Sequence, residues 1–191
     1  MPNIGVLSLQ GDFFEHIKML ESIGASTVQI RTPEQLDTID GLIIPGGEST
    51  TITQLIDLYD FRKIIQNKAS EGLAVWGTCA GMIVIAKNLT DLRPKPLNLI
   101  DIEVSRNAFG RQKDSFETYL NITGIDQGPF RSVFIRAPLV TKTGKTVEVL
   151  ATIKKLPVAV KEANILCTSF HPELTDDNRI HKFFANMCIN Q

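Results

Sequence analysis

What this chain is short of narrows the field first. It holds only three cysteines, Cys79, Cys167 and Cys188, an odd number with no C-x-x-C pair, so neither a disulfide framework nor a zinc site is expected. That usage suits a reducing cytoplasm. There is no excess of charge: 20 Lys and Arg oppose 21 Asp and Glu, for a formal net charge of -1. The balance offers no electrostatic attraction to phosphate backbones or anionic lipid, so neither nucleic acid nor membrane is expected as a partner. No apolar run approaches the roughly 18 residues of a membrane span. The opening MPNIGVLSLQGD carries no basic stretch ahead of a long apolar one, which reads as a protein neither exported nor anchored. Repeats, low-complexity tracts and linkers are also missing. With 191 residues that are 43% hydrophobic, the chain can bury one core, and residues 1–191 read as a single domain.

Short β-rich runs alternate with helical patterns through the first half, the signature of βαβ units and a parallel sheet, so the fold class is α/β. Residues 4–9 read as a strand buried on both faces. The following helix sets Ile17, Leu20 and Ile23 on one side and stops at Gly24. Residues 27–30 and 41–44 read as the next strands. The second of these ends in the turn Pro45-Gly46-Gly47, after which Ser49 or Thr50 is expected to cap a helix through Leu58. Residues 73–77 form a fourth predicted strand, and residues 80–87 a helix entered through a two-residue turn. From Leu99 onward short strands are predicted at 119–123, 133–136, 147–152, 158–160 and 165–169, as a sheet extension or antiparallel insert. A last helix carries Ile180, Phe183, Phe184, Met187 and Cys188 at i, i+3, i+4, i+7 and i+8, one face packed on the sheet.

Four segments carry residues suited to chemistry. Gly77-Thr78-Cys79-Ala80-Gly81 sets a cysteine between glycines where a strand turns into a helix, as in a nucleophile elbow. A helix N-terminus favours thiolate and offers N–H groups to an oxyanion, and flanking glycines leave room for a substrate carbonyl. A buried structural cysteine is the alternative. In Ser169-Phe170-His171-Pro172-Glu173, an extended backbone sets side chains two apart on one face, so Glu173 can orient His171 while His171 takes a thiol proton. Pro45-Gly46-Gly47-Glu48-Ser49 ends another parallel strand. Its glycine N–H groups can face an oxyanion and Glu48 an ammonium, though an ordinary helix-capping turn fits the same residues. It is no phosphate loop, lacking the G-x-x-x-x-G-K-[ST] lysine. Arg106-Asn107-Ala108-Phe109-Gly110-Arg111-Gln112 and Phe134-Ile135-Arg136-Ala137-Pro138 each offer an arginine able to grip an α-carboxylate, or simply a solvated one.

Taken together, PGGEST at 45–50, GTCAGM at 77–82, RNAFGRQKDSFE at 106–117, FIRAP at 134–138 and SFHPEL at 169–174 resemble the glutaminase subunits of pyridoxal 5′-phosphate synthase. GVLSLQGD and HIKMLESIGA fit as well, so the resemblance spans nearly the whole chain. GTCAG and HPE alone point to the wider class I glutamine amidotransferases, whereas RNAFGRQ with FIRAP separates this subunit from the glutaminases of histidine, anthranilate or purine synthesis. The resemblance implies a three-layer, flavodoxin-like α/β fold, with a mostly parallel central sheet flanked by helices and a small antiparallel extension. It implies hydrolysis of L-glutamine to glutamate and ammonia without cofactor or metal. The ammonia passes to a barrel-shaped synthase subunit, with up to twelve copies of the glutaminase on a dodecameric core. By match of motif, Cys79 is the nucleophile, His171 the proton shuttle and Glu173 its orienting carboxylate. Gly47 and Ala80 supply the oxyanion hole; Gly47, Glu48, Ser49, Arg106, Ile135 and Arg136 hold glutamine; Gln10 serves activation by the partner. Two rival readings keep the fold: a stand-alone cysteine hydrolase, such as a γ-glutamyl hydrolase or peptidase, and a non-catalytic regulatory subunit.

Overall fold

The computed structural model describes residues 1–106 and 115–189. In chain order these form β1 (Asn3–Leu7), α1 (Phe13–Ser22), β2 (Ser26–Ile30), β3 (Gly41–Ile44), α2 (Ser49–Leu58), α3 (Phe61–Ser70), β4 (Ala74–Thr78), α4 (Ala80–Ile85), β5 (Ala86–Leu89) and β6 (Ile100–Ser105). There follow β7 (Ser115–Leu120), β8 (Phe130–Ile135), β9 (Leu139–Thr143), β10 (Glu148–Ile153), β11 (Leu156–Glu162), β12 (Ile165–Thr168) and α5 (Arg179–Ile189). Short 3₁₀ turns cover Pro33–Thr38 and Pro172–Leu174.

Seven strands make the central sheet in the order β10-β11-β12-β4-β3-β1-β2. The five from β12 to β2 run parallel, and β11 and β10 extend the edge antiparallel. Alternation of side chains splits each parallel strand between two apolar layers. Leu42, Ile44, Val75, Ile165 and Cys167 face the layer under α2, α3 and α4. Ile43, Ala74, Trp76 and Leu166 face the layer under α1 and α5. Because both faces of β3, β4 and β12 are covered, these strands read as largely apolar runs rather than alternating ones, whereas the edge strand β2 stays partly exposed. A three-stranded sheet β5-β6-β9 and the hairpin β7-β8 flank this frame.

The predicted helix at 80–87 stops at Ile85, because the chain turns directly into β5, which pairs with β6. Three consecutive β-branched residues, Ile83, Val84 and Ile85, give little reason for the helix to continue. Strands β6 and β9 and helix α3 fall where no element is expected from the sequence, and β5 takes the end of the predicted helix, although α3 buries Phe61, Ile65 and Ala69 at i, i+4 and i+8. The final helix buries Ile180, Phe184 and Cys188 as its spacing predicts, but also His181.

Phe184 has no solvent exposure and its ring centroid lies 5.5 Å from that of Trp76. Phe184→Ala is expected to lower the unfolding free energy by about 3–5 kcal/mol through the cavity it leaves. A urea titration showing a loss below about 1 kcal/mol would mean that the α5 layer carries little of the core.

Candidate active site

Cys79 sits at the carboxyl end of β4, the strand between β12 and β3. Its backbone is at φ 48° and ψ −105°, a conformation a non-glycine residue adopts only under constraint. Three features impose it. The Cys79 N–H donates to the Thr168 carbonyl at 2.8 Å, continuing the β4–β12 ladder one residue past the strand. The Met82 N–H donates to the Cys79 carbonyl at 3.1 Å, starting α4. The glycines on either side let the elbow close on itself: a Cβ on Gly81 would lie 1.9 Å from the Ile44 carbonyl oxygen, and one on Gly77 2.6 Å from the Gly81 backbone. The two glycines are therefore needed for packing of the elbow against its own helix and the end of β3. This packing role stands beside the expected one of leaving room for a substrate carbonyl.

His171 and Glu173 follow β12. The segment is not extended as expected; Pro172–Leu174 forms a 3₁₀ turn with His171 at its head. The turn brings the two side chains together, His171 Nδ1 lying 2.7 Å from Glu173 Oε1. Glu173 is 5% exposed and His171 4%. Burial works against a charged His171, yet its interactions with the Cys79 sulfur and with Glu173 outweigh that and hold the imidazole pKa above its ordinary value. Burial pushes the Glu173 carboxyl up, and the imidazole opposes it. The arrangement favours an imidazolium between sulfur and carboxylate. Gly46 makes room for the ring, since a Cβ there would stand 2.5 Å from His171 Cε1.

Of the residues given a role by match of motif, Gln10, Gly47, Glu48, Ser49, Cys79, Ala80, Arg106, Ile135, Arg136 and His171 line one cleft of about 580 Å³, and Glu173 lies behind His171. The Cys79 sulfur is 3.8 Å from the Ile135 carbonyl oxygen. Gly47, at φ 150°, and Ala80 border the cleft beside it. The cap of α2 is Glu48 rather than Ser49 or Thr50: its carboxylate accepts the Thr50 and Thr51 N–H groups at 3.1 and 2.7 Å. The same carboxylate pairs with Arg106 at 3.3 Å, so its charge is already partly engaged. Burial tends to raise the Glu48 carboxyl pKa, but the Thr50 and Thr51 hydrogen bonds prevail and hold it below the ordinary value. The Gln10 side-chain oxygen accepts the Glu48 N–H at 2.9 Å, tying the loop after β1 to the glycine turn. Arg136 stands at the rim with φ 44°. Asn107, Ala108, Phe109, Gly110, Arg111 and Gln112 of the predicted binding loop lie outside the described residues.

Sequence reasoning passes over Asp12, Ile83 and Leu174, which also line the cleft. Asp12 Oδ2 lies 3.7 Å from His171 Nδ1. Asp12, His171 and Glu173 are the set of possible metal donors among the described residues, their atoms within 4.8 Å of one another. An ion there would take the His171 nitrogen that now faces Glu173. His16 and His181, fully buried beneath the triad, are also missed, because each sits in an apolar helical face that reads as core.

A cysteine on a strand-to-helix elbow, facing a His–Glu pair at the carboxyl edge of a parallel sheet, belongs to the class I glutamine amidotransferase-like fold. Residues 6–190 match the SNO glutamine amidotransferase family, and the chain belongs to that family. It is similar to the pyridoxal 5′-phosphate synthase subunit PdxT of Dehalococcoides mccartyi, at 55% identity over 190 residues and 96% of each chain. It is 50% identical to the PdxT subunit of Thermotoga petrophila over 184 residues, 96% of this chain and 98% of that one. A crystal structure of a glutamine amidotransferase superposes with a TM-score of 0.93 at 45% identity, covering 97% of this chain and 98% of the other. PurLQS from Thermotoga maritima shares the fold at 15% identity, with a TM-score of 0.67 over 96% of this chain and 97% of that one. No helix among the described residues is long and apolar enough to cross a membrane.

The buried histidines set a pH dependence of stability. Burial is the main cause that pushes His181 from 6.5 down to about 3, and it lowers His16 as well, with help from the charges of His181 and His171. The unfolded chain therefore binds protons that the native one refuses. Their contribution is complete above about pH 6.5 and is lost as pH falls below it, by up to about 1.4 kcal/mol per pH unit for each histidine. The raised His171 acts in another window, its contribution being complete below about pH 6.5 and lost as pH rises through its native value. Urea unfolding is expected to show stability falling from pH 6.5 to 5, above the ordinary carboxylate range and against the raised Glu173 carboxyl, whose contribution runs the other way, and His181→Leu should flatten that slope. Stability that is level across this interval, in the wild type, contradicts neutral buried histidines.

Proposed function

We propose that this chain is the glutaminase subunit of a pyridoxal 5′-phosphate synthase, hydrolysing L-glutamine in the cytoplasm and passing ammonia to a separate barrel-shaped synthase subunit. The observation that carries the reading is the junction of Cys79, on its strained elbow, with the buried His171–Glu173 pair in one cleft. Family membership and the PdxT relatives support the same assignment.

The chemistry follows from the charges. The Cys79 thiolate attacks the side-chain amide carbon of glutamine, and the N–H groups of Gly47 and Ala80 receive the developing oxyanion. The C–N bond breaks as His171 gives its proton to the leaving nitrogen, releasing ammonia and leaving a γ-glutamyl thioester. A water, deprotonated by His171, attacks the thioester, and glutamate leaves as the thiol is regenerated. Glu173 holds one imidazole tautomer throughout and steadies the imidazolium. Arg106 and Arg136 face the substrate α-carboxylate, while Glu48 faces its ammonium, with Ser49 and Ile135 closing the walls. Gln10 holds the peptide after Gly47, so contact with the synthase at that loop re-aims the Gly47 N–H. Such coupling withholds hydrolysis until an acceptor is present. Up to twelve copies seat on a dodecameric synthase core.

Glutamate release from L-glutamine should be low for the subunit alone, rise on addition of a synthase subunit, and vanish in Cys79→Ala. Glu173→Gln should retain binding but lose about 10²-fold or more in kcat, because the amide no longer stabilises the imidazolium. Equal release with and without the synthase would favour a stand-alone hydrolase; none under either condition would favour an idle subunit.

A further inference from the structure

Beneath the triad lies a polar cluster for which the mechanism above has no use. Glu173 Oε2 and His181 Nδ1 are the buried side-chain atoms among the described residues that lack a hydrogen-bond partner. An unsatisfied oxygen on a buried carboxylate is costly, so its surroundings matter. The approach recorded for Oε2 is to His16 Nε2 of α1, at 3.4 Å. The same nitrogen lies 3.1 Å from the hydroxyl of Thr78, the residue before the nucleophile. His16 Nδ1 lies 3.0 Å from His181 Nε2 of α5. Both imidazoles pack edge-on to Trp76, with centroids 5.5 and 5.0 Å from it, and are fully buried.

Ring protons can be assigned by requiring every buried N–H to find an acceptor. If His16 carries its proton on Nδ1, it donates to His181 Nε2. His181 must then carry a proton on Nδ1, which has no acceptor, and the His16 Nε2 lone pair confronts the lone pairs of Glu173 Oε2. If His181 carries its proton on Nε2, it donates to His16 Nδ1. His16 then carries its proton on Nε2, aimed between Glu173 Oε2 and the Thr78 hydroxyl, and the unpartnered His181 atom is a lone pair rather than an N–H. Only the second assignment supplies a donor to the carboxylate.

We infer that His16, held in its Nε2–H form by His181, is a positioning residue that presents its N–H to Glu173 Oε2, 3.4 Å away, and so steadies the carboxylate whose other oxygen holds His171. The inference rests on Cys79, His171 and Glu173 being the working set. A neutral donor suits the place. The titratable groups around His16 are Glu173 and His171, from the 3₁₀ turn after β12, and His181, from α5, and a charged His16 would compete with His171 for the single carboxylate. Burial, followed by the charges of His181 and His171, keeps His16 neutral.

Two measurements test this. In the full-length wild type, long-range ¹⁵N–¹H NMR of the imidazoles should show His16 and His181 both as neutral Nε2–H tautomers; an Nδ1–H form of His16 overturns the assignment. In the complex with the synthase subunit, His16→Leu removes the donor at similar volume, while His16→Gln keeps an N–H. His16→Leu is expected to lower kcat about tenfold or more with little change in KM, by analogy with loss of hydrogen-bonded support behind other catalytic groups. It should also shift the midpoint of Cys79 alkylation by iodoacetamide to higher pH, since a less well-held carboxylate stabilises the imidazolium less. His16→Gln should recover most of both. A folded His16→Leu with wild-type kcat and alkylation profile, or equal losses in the two variants, refutes the positioning role. Alkylation needs no glutamine, so a protein inert toward glutamine would undo the glutaminase reading while still deciding this one.

Discussion

One backbone conformation supports everything else at this site. At Cys79 the chain leaves a strand flanked on both sides in the sheet and enters a helix without an intervening loop, at φ 48°. Strain of this kind costs about 1–3 kcal/mol and persists only where the surroundings over-determine it. Here the constraint comes from the N–H bond to Thr168, from Gly77 and Gly81 pressed against neighbouring backbone, and from a fully buried α4. The result is a sulfur held above the sheet edge at a point where the ends of β3 and β12 deliver a glycine turn and a histidine.

Around the thiol the fold sorts its ionisable groups by burial. His171 is covered but shares its charge with a carboxylate and a sulfur, so its cationic form is favoured. His16 and His181, a few ångströms further in, lack an anion of their own and stay neutral. Glu48 and Arg106, at the open end, pair with each other and remain wet. A gradient of this sort lets one cleft hold a cation beside the nucleophile without charging the core beneath it.

The central parallel strands are legible in the sequence because, buried on both faces, they appear as short apolar runs, β3 and β4 ending at glycine-bearing turns. The elbow and the His-x-Glu pair are legible because each places a reactive residue at such a closing point. The neighbouring details are not. His171 and Glu173 meet through a 3₁₀ turn rather than an extended one, a choice between two local geometries that both bring them together. Glu48 caps α2 in place of the expected Ser49, because a glutamate carboxylate reaches two N–H groups at once. Strands β5 and β9 are short and partly polar, so little marks them, whereas β6 carries a period-2 signal, Ile100, Ile102 and Val104 alternating with Asp101, Glu103 and Ser105, that sequence reasoning passes over. His16 and His181 lie in apolar helical faces 165 positions apart, and nothing in either helix says that they meet.

The central claim is that Cys79 is the atom that attacks glutamine. It is tested most directly by incubating the assembled enzyme with a glutamine analogue bearing a diazoketone in place of the side-chain amide, followed by peptide mass spectrometry. The account predicts one adduct, on Cys79, with L-glutamine protecting against it and Cys167 and Cys188 unmodified in their buried positions. An adduct on either of those thiols, or turnover of glutamine with Cys79 left unlabelled by the analogue, would contradict it.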